Sequence, residues 1–125
     1  MNACPQGLLL LKKARVLVAR GWSQGADARD SDGSPVDPWD ERAVEWSVLG
    51  AIVAVLEREA KESGEVLLAE LAAALYAVAD VIEADSLSDW NDDPRRTHAE
   101  VVTVLVAAER AFEPTLPEEA RFQPN

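Results

Sequence analysis

Residues 65 to 85 carry apolar side chains at the spacing of an α-helix, and this run constrains the fold more than any other part of the sequence. Its stripe consists of Leu67, Leu68, Leu71, Leu75, Val78, Ala79 and Ile82. Several further alanines raise the helix propensity and permit close packing of a second helix. The pattern therefore predicts a helix that buries one face against other helices.

Three other segments have the same periodicity and predict three more helices. The first covers residues 6–20, is apolar almost all round and is expected at the centre, with Gly21 ending it in a left-handed conformation. The second starts near residues 37–40, with Asp37 as cap and Pro38 in the first position, and stops at Ser63-Gly64. The last covers about residues 98–112. Within the second helix, Gly50 predicts the close approach of another backbone or side chain.

The sequence therefore predicts an all-α fold, a compact domain of four helices over residues 1–113 with a loosely ordered tail over residues 114–125. Residues 22–37, between the first two helices, lack helical periodicity. They form either an irregular segment or a short β-hairpin, in which residues 28–29 lie opposite residues 34–36 around the favoured turn pair Asp32-Gly33.

The formal net charge of −11 is unevenly distributed. Residues 1–21 hold four basic and no acidic side chains, whereas the rest holds eight basic and 23 acidic ones, a net charge of −15. Such a chain disfavours direct nucleic-acid binding and suits a basic protein partner. With one cysteine, Cys4, and no apolar run of the roughly 18 residues that a membrane span needs, we predict a cytoplasmic protein that does not enter membranes.

Two irregular stretches are dense in polar and aromatic side chains, residues 21–25 and residues 89–100. We expect them to meet and to form a ligand site from Trp22, Gln24, Arg29, Asp30, Trp46, Trp90, Asn91, Asp92, Arg96 and Glu100. Trp90 is expected to be mostly buried and to dock its turn against helix 2 or residues 21–25. Thr97 and Glu100 form a predicted capping box, with a start at Asp93-Pro94 as the competing interpretation.

Each of these residues has a structural interpretation beside the functional one. The tryptophans line a pocket for a flat or cationic ligand, or they fill the core. Asn91 and Asp92 bind a ligand or cap a turn, and Arg96 binds an anion or pairs with a carboxylate. The spacing of Asp30, Asp32 and Gly33 does not fit a calcium loop, so we predict no metal and no cofactor.

Three functions remain open at this point. The first is a non-catalytic binding or regulatory module, whose partner is a small ligand or a basic protein. The second is an enzyme that uses Asp30, Asp92 or Glu100 as acid or base beside Arg96. The third is an acidic decoy that occupies a basic protein, which requires the acidic residues to form a continuous stripe.

Three motifs together resemble an uncharacterised bacterial family of small proteins that carry a domain-of-unknown-function label. The motifs are Gly21-Trp22-Ser23-Gln24-Gly25, Trp46 with Gly50-Ala51, and Trp90-Asn91-Asp92 with Arg96-Thr97 and Glu100. The resemblance covers roughly residues 7–112. It implies an all-helical domain and no assigned activity.

Overall fold

A computed structural model describes residues 5–64 and 68–112 of the 125-residue chain. This part contains five helices and two short strands: α1 (Pro5–Arg20), β1 (Ala28–Arg29), β2 (Glu45–Trp46), α2 (Val48–Ser63), α3 (Leu68–Ile82), α4 (Leu87–Asn91) and α5 (His98–Arg110). The predicted helical fold with a small hairpin between the first two helices is confirmed. The predicted tail and the expected start of helix 3 at residues 65–67 lie outside the described residues.

Helix α1 lies at the centre, as its all-round apolar sequence predicts, and it packs against α2, α3 and α5. Leu11 and Val18 of α1 are fully buried, as are Ile52 of α2 and Leu105 of α5. None of the helices in the described ranges combines the length and the apolar character that a membrane crossing requires.

Helix α2 begins at Val48, so the predicted start at Asp37 and Pro38 is wrong. Ser47 is the N-cap, and its hydroxyl accepts a hydrogen bond from the Gly50 amide at 2.9 Å. The residues before it are extended because Trp46 pairs with another segment. Its backbone N–H donates to the Gly21 carbonyl at 2.9 Å, and its own carbonyl accepts from the Ser23 amide at 3.1 Å. This pairing engages backbone groups that a helix would use internally.

Strand β1 has a partner on each side. It pairs antiparallel with β2, with Ala28 opposite Trp46 and Arg29 opposite Glu45. On its other edge a bridge joins Arg29 to Pro35, and Asp30 donates its amide to the Ser34 carbonyl at 2.9 Å. The predicted pairing of residues 28–29 with residues 34–36 is therefore present, but the longer-range partner, β2, was not foreseen from the sequence.

Two glycines permit close approach between segments. Gly21 does not have the left-handed conformation predicted for it; a Cβ there would lie 2.3 Å from the Val44 carbonyl oxygen. Gly50 behaves as predicted, because a Cβ there would lie 1.9 Å from the carbonyl oxygen of Asp27. Gly50 therefore lets residue 27 approach α2, whereas Gly21 lets the start of the segment of residues 21–47 approach its end.

Gly50→Ala should lower the free energy of unfolding by about 3 kcal/mol, the upper part of the usual range for overpacking. Helix propensity alone predicts the opposite, a gain of about 1 kcal/mol. Urea unfolding distinguishes the loss expected from overpacking from the gain expected from helix propensity. Gly33→Ala is the matched control. At Gly33 no atom lies within 4 Å of an added Cβ, and only the left-handed φ of 82° opposes the substitution. The control should cost about 1 kcal/mol, and a Gly50→Ala protein as stable as the parent would contradict the contact with Asp27.

Candidate functional site

The short helix α4 delivers Asn91 into the interior. Ser86 is its N-cap and accepts a hydrogen bond from the Asp89 amide at 3.1 Å. The helix ends after five residues at Asn91, whose exposed fraction is only 1%. An amide buried to this extent must find partners for two donors and two acceptor lone pairs within the protein.

The Asn91 side chain satisfies all four of these groups. Its Oδ1 accepts from Trp22 Nε1 at 3.0 Å and from the Val48 amide at 3.1 Å. Its Nδ2 donates to the Ser23 carbonyl at 3.0 Å and to Asp92 Oδ1 at 2.9 Å. Since Val48 is the first residue of α2, Asn91 supplies a partner for an amide that has none within the helix.

Three further hydrogen bonds join the same two stretches. Gln24 Nε2 donates to the carbonyl oxygens of Asn91 at 3.1 Å and of Asp93 at 2.8 Å, and the Gly25 amide donates to Asp92 Oδ1 at 3.0 Å. We call Trp22, Ser23, Gln24, Asn91 and Asp92 the Asn91 network. The two irregular stretches thus meet as predicted, joined by the side chains of Trp22, Gln24, Asn91 and Asp92.

Arg29, Asp30 and Trp46 lie outside this network and support the loop that carries it. Arg29 donates from Nη1 to the Gly33 carbonyl at 2.9 Å and from Nη2 to the Gln24 carbonyl at 3.1 Å. Asp30 Oδ1 accepts from the amides of residues 32 and 34, each at 2.9 Å. The buried ring of Trp46 donates its N–H to the Pro38 carbonyl at 3.0 Å. All three side chains have a local structural role.

Trp90 and Arg96 lie on a different side of the same turn. The guanidinium of Arg96 lies over the Trp90 ring, 4.0 Å from its centroid, and Arg96 Nε donates to the Trp90 carbonyl at 3.0 Å. Both residues line an open groove between α3 and α5, which we call the Trp90 groove. Its other lining residues are Val81, Ile82, Ala99, Glu100, Thr103 and Val104.

The Trp90 ring is partly buried and packs against the hydrophobic core, and it also lines the groove. The hydrogen bonds to α2 and to residues 22–23 described above are made by the neighbouring Asn91 side chain. The sequence did not single out Val81, Ile82 or Val104 as site residues, because each also fits the apolar stripe of a helix.

The terminal nitrogens of Arg96 face two carboxylates at distances longer than a hydrogen bond. Nη1 lies 3.7 Å from Glu100 Oε2, and Nη2 lies 4.0 Å from Asp93 Oδ2. The pKa of Asp93 is lowered, first because the Arg95 amide donates to its carboxylate and also because of the positive charges of Arg95 and Arg96. Asp93 is therefore a stable anion beside the guanidinium.

The predicted capping box at the start of α5 is confirmed. Thr97 Oγ1 accepts from the Glu100 amide at 3.1 Å, and Glu100 Oε1 accepts from the Thr97 amide at 2.9 Å. The competing start at Asp93-Pro94 is wrong, because α5 begins at His98.

His98 itself places Nε2 2.6 Å from the Val18 carbonyl oxygen and stacks on the Trp22 ring. Within the described residues, no group of three or more His, Cys, Asp or Glu side chains could hold a metal ion.

Residues 6–111 match a protein-family model described as a family of unknown function, DUF6197. The chain belongs to this family. The match agrees with the resemblance given by the three motifs, and it assigns no activity. Neither the search of curated proteins nor the search of solved structures found a match. The function of this DUF6197 domain therefore has to be argued from its own residues.

Asn91→Ala should lower the free energy of unfolding by about 3 to 5 kcal/mol, because the Trp22 ring N–H, the Val48 amide and the Ser23 carbonyl all lose a buried partner. Thr97→Ala removes only an exposed helix cap and should cost about 1 kcal/mol. Urea unfolding of both variants measures the difference. Equal losses would show that the Asn91 network contributes no more than a single cap.

Proposed function

We propose that this domain is a non-catalytic binding module whose ligand is a small carboxylate with an apolar body, held in the Trp90 groove. The observation that carries the proposal is that Arg96 is held in place while its terminal nitrogens make no hydrogen bond in the described part of the chain. Its side chain is 19% exposed, and in the described part of the chain its two terminal nitrogens have no hydrogen-bond partner within 3.5 Å. A planar guanidinium with two such nitrogens suits a carboxylate in a bidentate geometry.

The position of Arg96 is fixed before any ligand arrives. The hydrogen bond from Nε to the Trp90 carbonyl and the stacking on the Trp90 ring hold the guanidinium plane in one orientation. Less side-chain entropy is then lost on binding than for a freely rotating arginine. Val81, Ile82 and Val104 supply apolar walls for the body of the ligand. Arg96, Glu100 and Thr103 supply the polar part of the lining, and a mixture of apolar walls and placed polar groups is typical of small-molecule sites.

A cationic ligand is less well supported at this groove. The aromatic face that would attract a cation is already covered by Arg96 at 4.0 Å. We therefore prefer an anionic head group, which would contact Arg96 and not the covered face of Trp90.

Catalysis by Asp30, Asp92 or Glu100 has less support, because each carboxylate already accepts local hydrogen bonds. Asp30 holds its own turn, Asp92 accepts from Gly25 and Asn91, and Glu100 caps α5. Of the three, only Glu100 lines the groove. An acid and a base flanking one reacting atom, as general acid–base chemistry requires, are not brought together by these three residues.

We propose that the protein acts in the bacterial cytoplasm. This localisation rests on the family resemblance, on the single cysteine and on the acidic composition of the chain. A cytoplasmic binding module would meet small carboxylates as metabolites, so a regulatory role in response to one of them fits the same site.

The test is calorimetric titration with phenylacetate, indole-3-acetate and 4-methylpentanoate, each paired with its primary amide. At least one carboxylate should bind, and its amide should bind about tenfold more weakly, since the amide cannot form a charge-assisted pair. Arg96→Gln should weaken carboxylate binding by at least about tenfold, and Arg96→Lys by less.

The matched control is Arg95→Gln, which makes the same charge change one residue away. The Arg95 side chain is 92% exposed and does not line the groove, so the affinity should stay unchanged. Equal binding of acid and amide, or an Arg96→Gln protein with parental affinity, would refute the assignment. The absence of binding by every member of the panel would also refute it.

A further inference from the structure

Helix α3 exposes an apolar surface where a solvated helix face is normally polar. Tyr76 is 77% exposed and Leu68 is 66% exposed, the two highest values among the exposed large apolar side chains. Ala69 and Ala72 are also exposed, and only Ala74 and Val78 of the helix are fully buried. We call Leu68, Ala69, Ala72 and Tyr76 the α3 outer face.

These four residues form one continuous stripe. Leu68, Ala72 and Tyr76 follow one another at intervals of four residues, which places them above each other along the helix. The stripe extends over about 12 Å at the helical rise of 1.5 Å per residue. The alanines between the two large side chains are small, which would let the apolar face of a second helix approach closely.

The C-terminal end of this stripe is strongly negative. Asp80, Glu83, Asp85 and Asp89 are all exposed, and none of them forms an ion pair with the described part of the chain. Residues 68–94 contain seven acidic and no basic side chains. The helix dipole adds negative charge at this end, where a cation would normally be favourable.

Two features of the acidic end are expected to destabilise the isolated domain. Its carboxylates repel one another and the negative end of the dipole. Glu83 also has a left-handed φ of 53°, a conformation that a non-glycine residue adopts at a cost. A bound partner that brings positive charge to this end would relieve the repulsion.

We propose that the α3 outer face docks a basic amphipathic helix of another protein. The apolar side of that helix would cover Leu68, Ala72 and Tyr76, and its Lys or Arg residues would lie beside Asp80, Glu83 and Asp85. Charge identifies this partner among the alternatives. A second copy packed in parallel on this face would bring its own acidic residues to the same end, and nucleic acid or an anionic lipid surface would be repelled.

This inference goes beyond the carboxylate site and does not depend on it. The α3 outer face shares no residue with the lining of the Trp90 groove. Loss of carboxylate binding in Arg96→Gln therefore leaves the docking proposal unaffected. Loss of helix docking in a variant of Tyr76 likewise leaves the carboxylate site unaffected.

The first experiment uses a fluorescently labelled peptide of Leu and Lys only, about 14 residues long, with its leucines at helical spacing. Fluorescence anisotropy should show saturable binding to the full chain. A scrambled peptide of the same composition should bind at least about tenfold more weakly, because it has no apolar face. Equal binding of both peptides would overturn the proposal, since charge alone would then account for the interaction.

The second experiment replaces the apolar stripe. Tyr76→Ser combined with Ala72→Gln should weaken peptide binding by about tenfold or more, because the apolar contact is lost. Both positions are exposed, so the helix should persist, which circular dichroism checks. The control is Trp39→Ser, at a side chain that is 50% exposed in the loop before β2. An unchanged affinity in the Tyr76 variant, or an equal loss in the control, would overturn the assignment of this face.

The third experiment replaces the acidic end. Glu83→Gln combined with Asp85→Asn should weaken binding by about fivefold at low salt and by much less at about 0.5 M salt, where charges are screened. The same variant should unfold at a higher urea concentration, because repulsion at the helix end is relieved. The control is the double substitution Asp32→Asn and Asp37→Asn, which makes the same change of charge. Both residues are exposed in the loop between α1 and β2, so the affinity for the peptide should be unchanged. Equal weakening in both variants would show that total charge, and not the α3 end, attracts the peptide.

Sedimentation of the full chain without peptide tests whether a second copy of the chain covers the α3 outer face. A monomer is expected, because the proposal assigns the α3 outer face to a basic helix of another protein. A dimer that Tyr76→Ser dissociates would overturn the proposal and assign the α3 outer face to a second copy.

Discussion

The side-chain amide of Asn91 is the interaction on which the loop region depends. Its four hydrogen bonds reach the Trp22 ring, the Ser23 carbonyl, the first amide of α2 and the neighbouring Asp92. The elements that it joins are a helix of five residues and strands of two residues, which are too short to be stable alone. They acquire their order from this contact and from the large helices behind it. An amide serves here because it offers two donors and two acceptors at one point.

The Asn91 network and the Trp90 groove are both built on the turn that contains α4. Consecutive side chains of α4 diverge, so Asn91 enters the interior while Trp90 lines the groove. Gln24 holds the carbonyl oxygens of Asn91 and Asp93, which fixes the backbone on both sides of the turn. Arg96 is in turn held by the Trp90 carbonyl. The buried network thus preorganises the exposed guanidinium, in the way that supporting residues orient a binding group in other sites.

Local rules predicted the elements whose determinants are local. Three features could be read from neighbouring residues: the capping box of Thr97 and Glu100, the close approach at Gly50 and the end of α2 at Ser63-Gly64. The start of α2 could not. Asp37-Pro38 satisfies the rules for a helix start, but the backbone of Trp46 pairs with Gly21, which is distant in sequence. Asn91 was included among the candidate residues, but five residues of α4 contain no periodicity that would distinguish its inward side chain from Trp90.

The two proposed surfaces differ in physical character and meet at the last turn of α3. The Trp90 groove is open and places the oriented guanidinium of Arg96 beside the Glu100 carboxylate, so its selectivity should come from geometry. The α3 outer face is a shallow apolar stripe with an unpaired negative end, so its selectivity should come from charge and should weaken in salt. Val81 and Ile82 line the groove, while the adjacent Asp80 and Glu83 belong to the acidic end. A partner that shifts this turn would move one wall of the groove. Any effect of that partner on carboxylate affinity must then be matched by an equal effect of the carboxylate on the partner, because coupling between two binding sites is reciprocal.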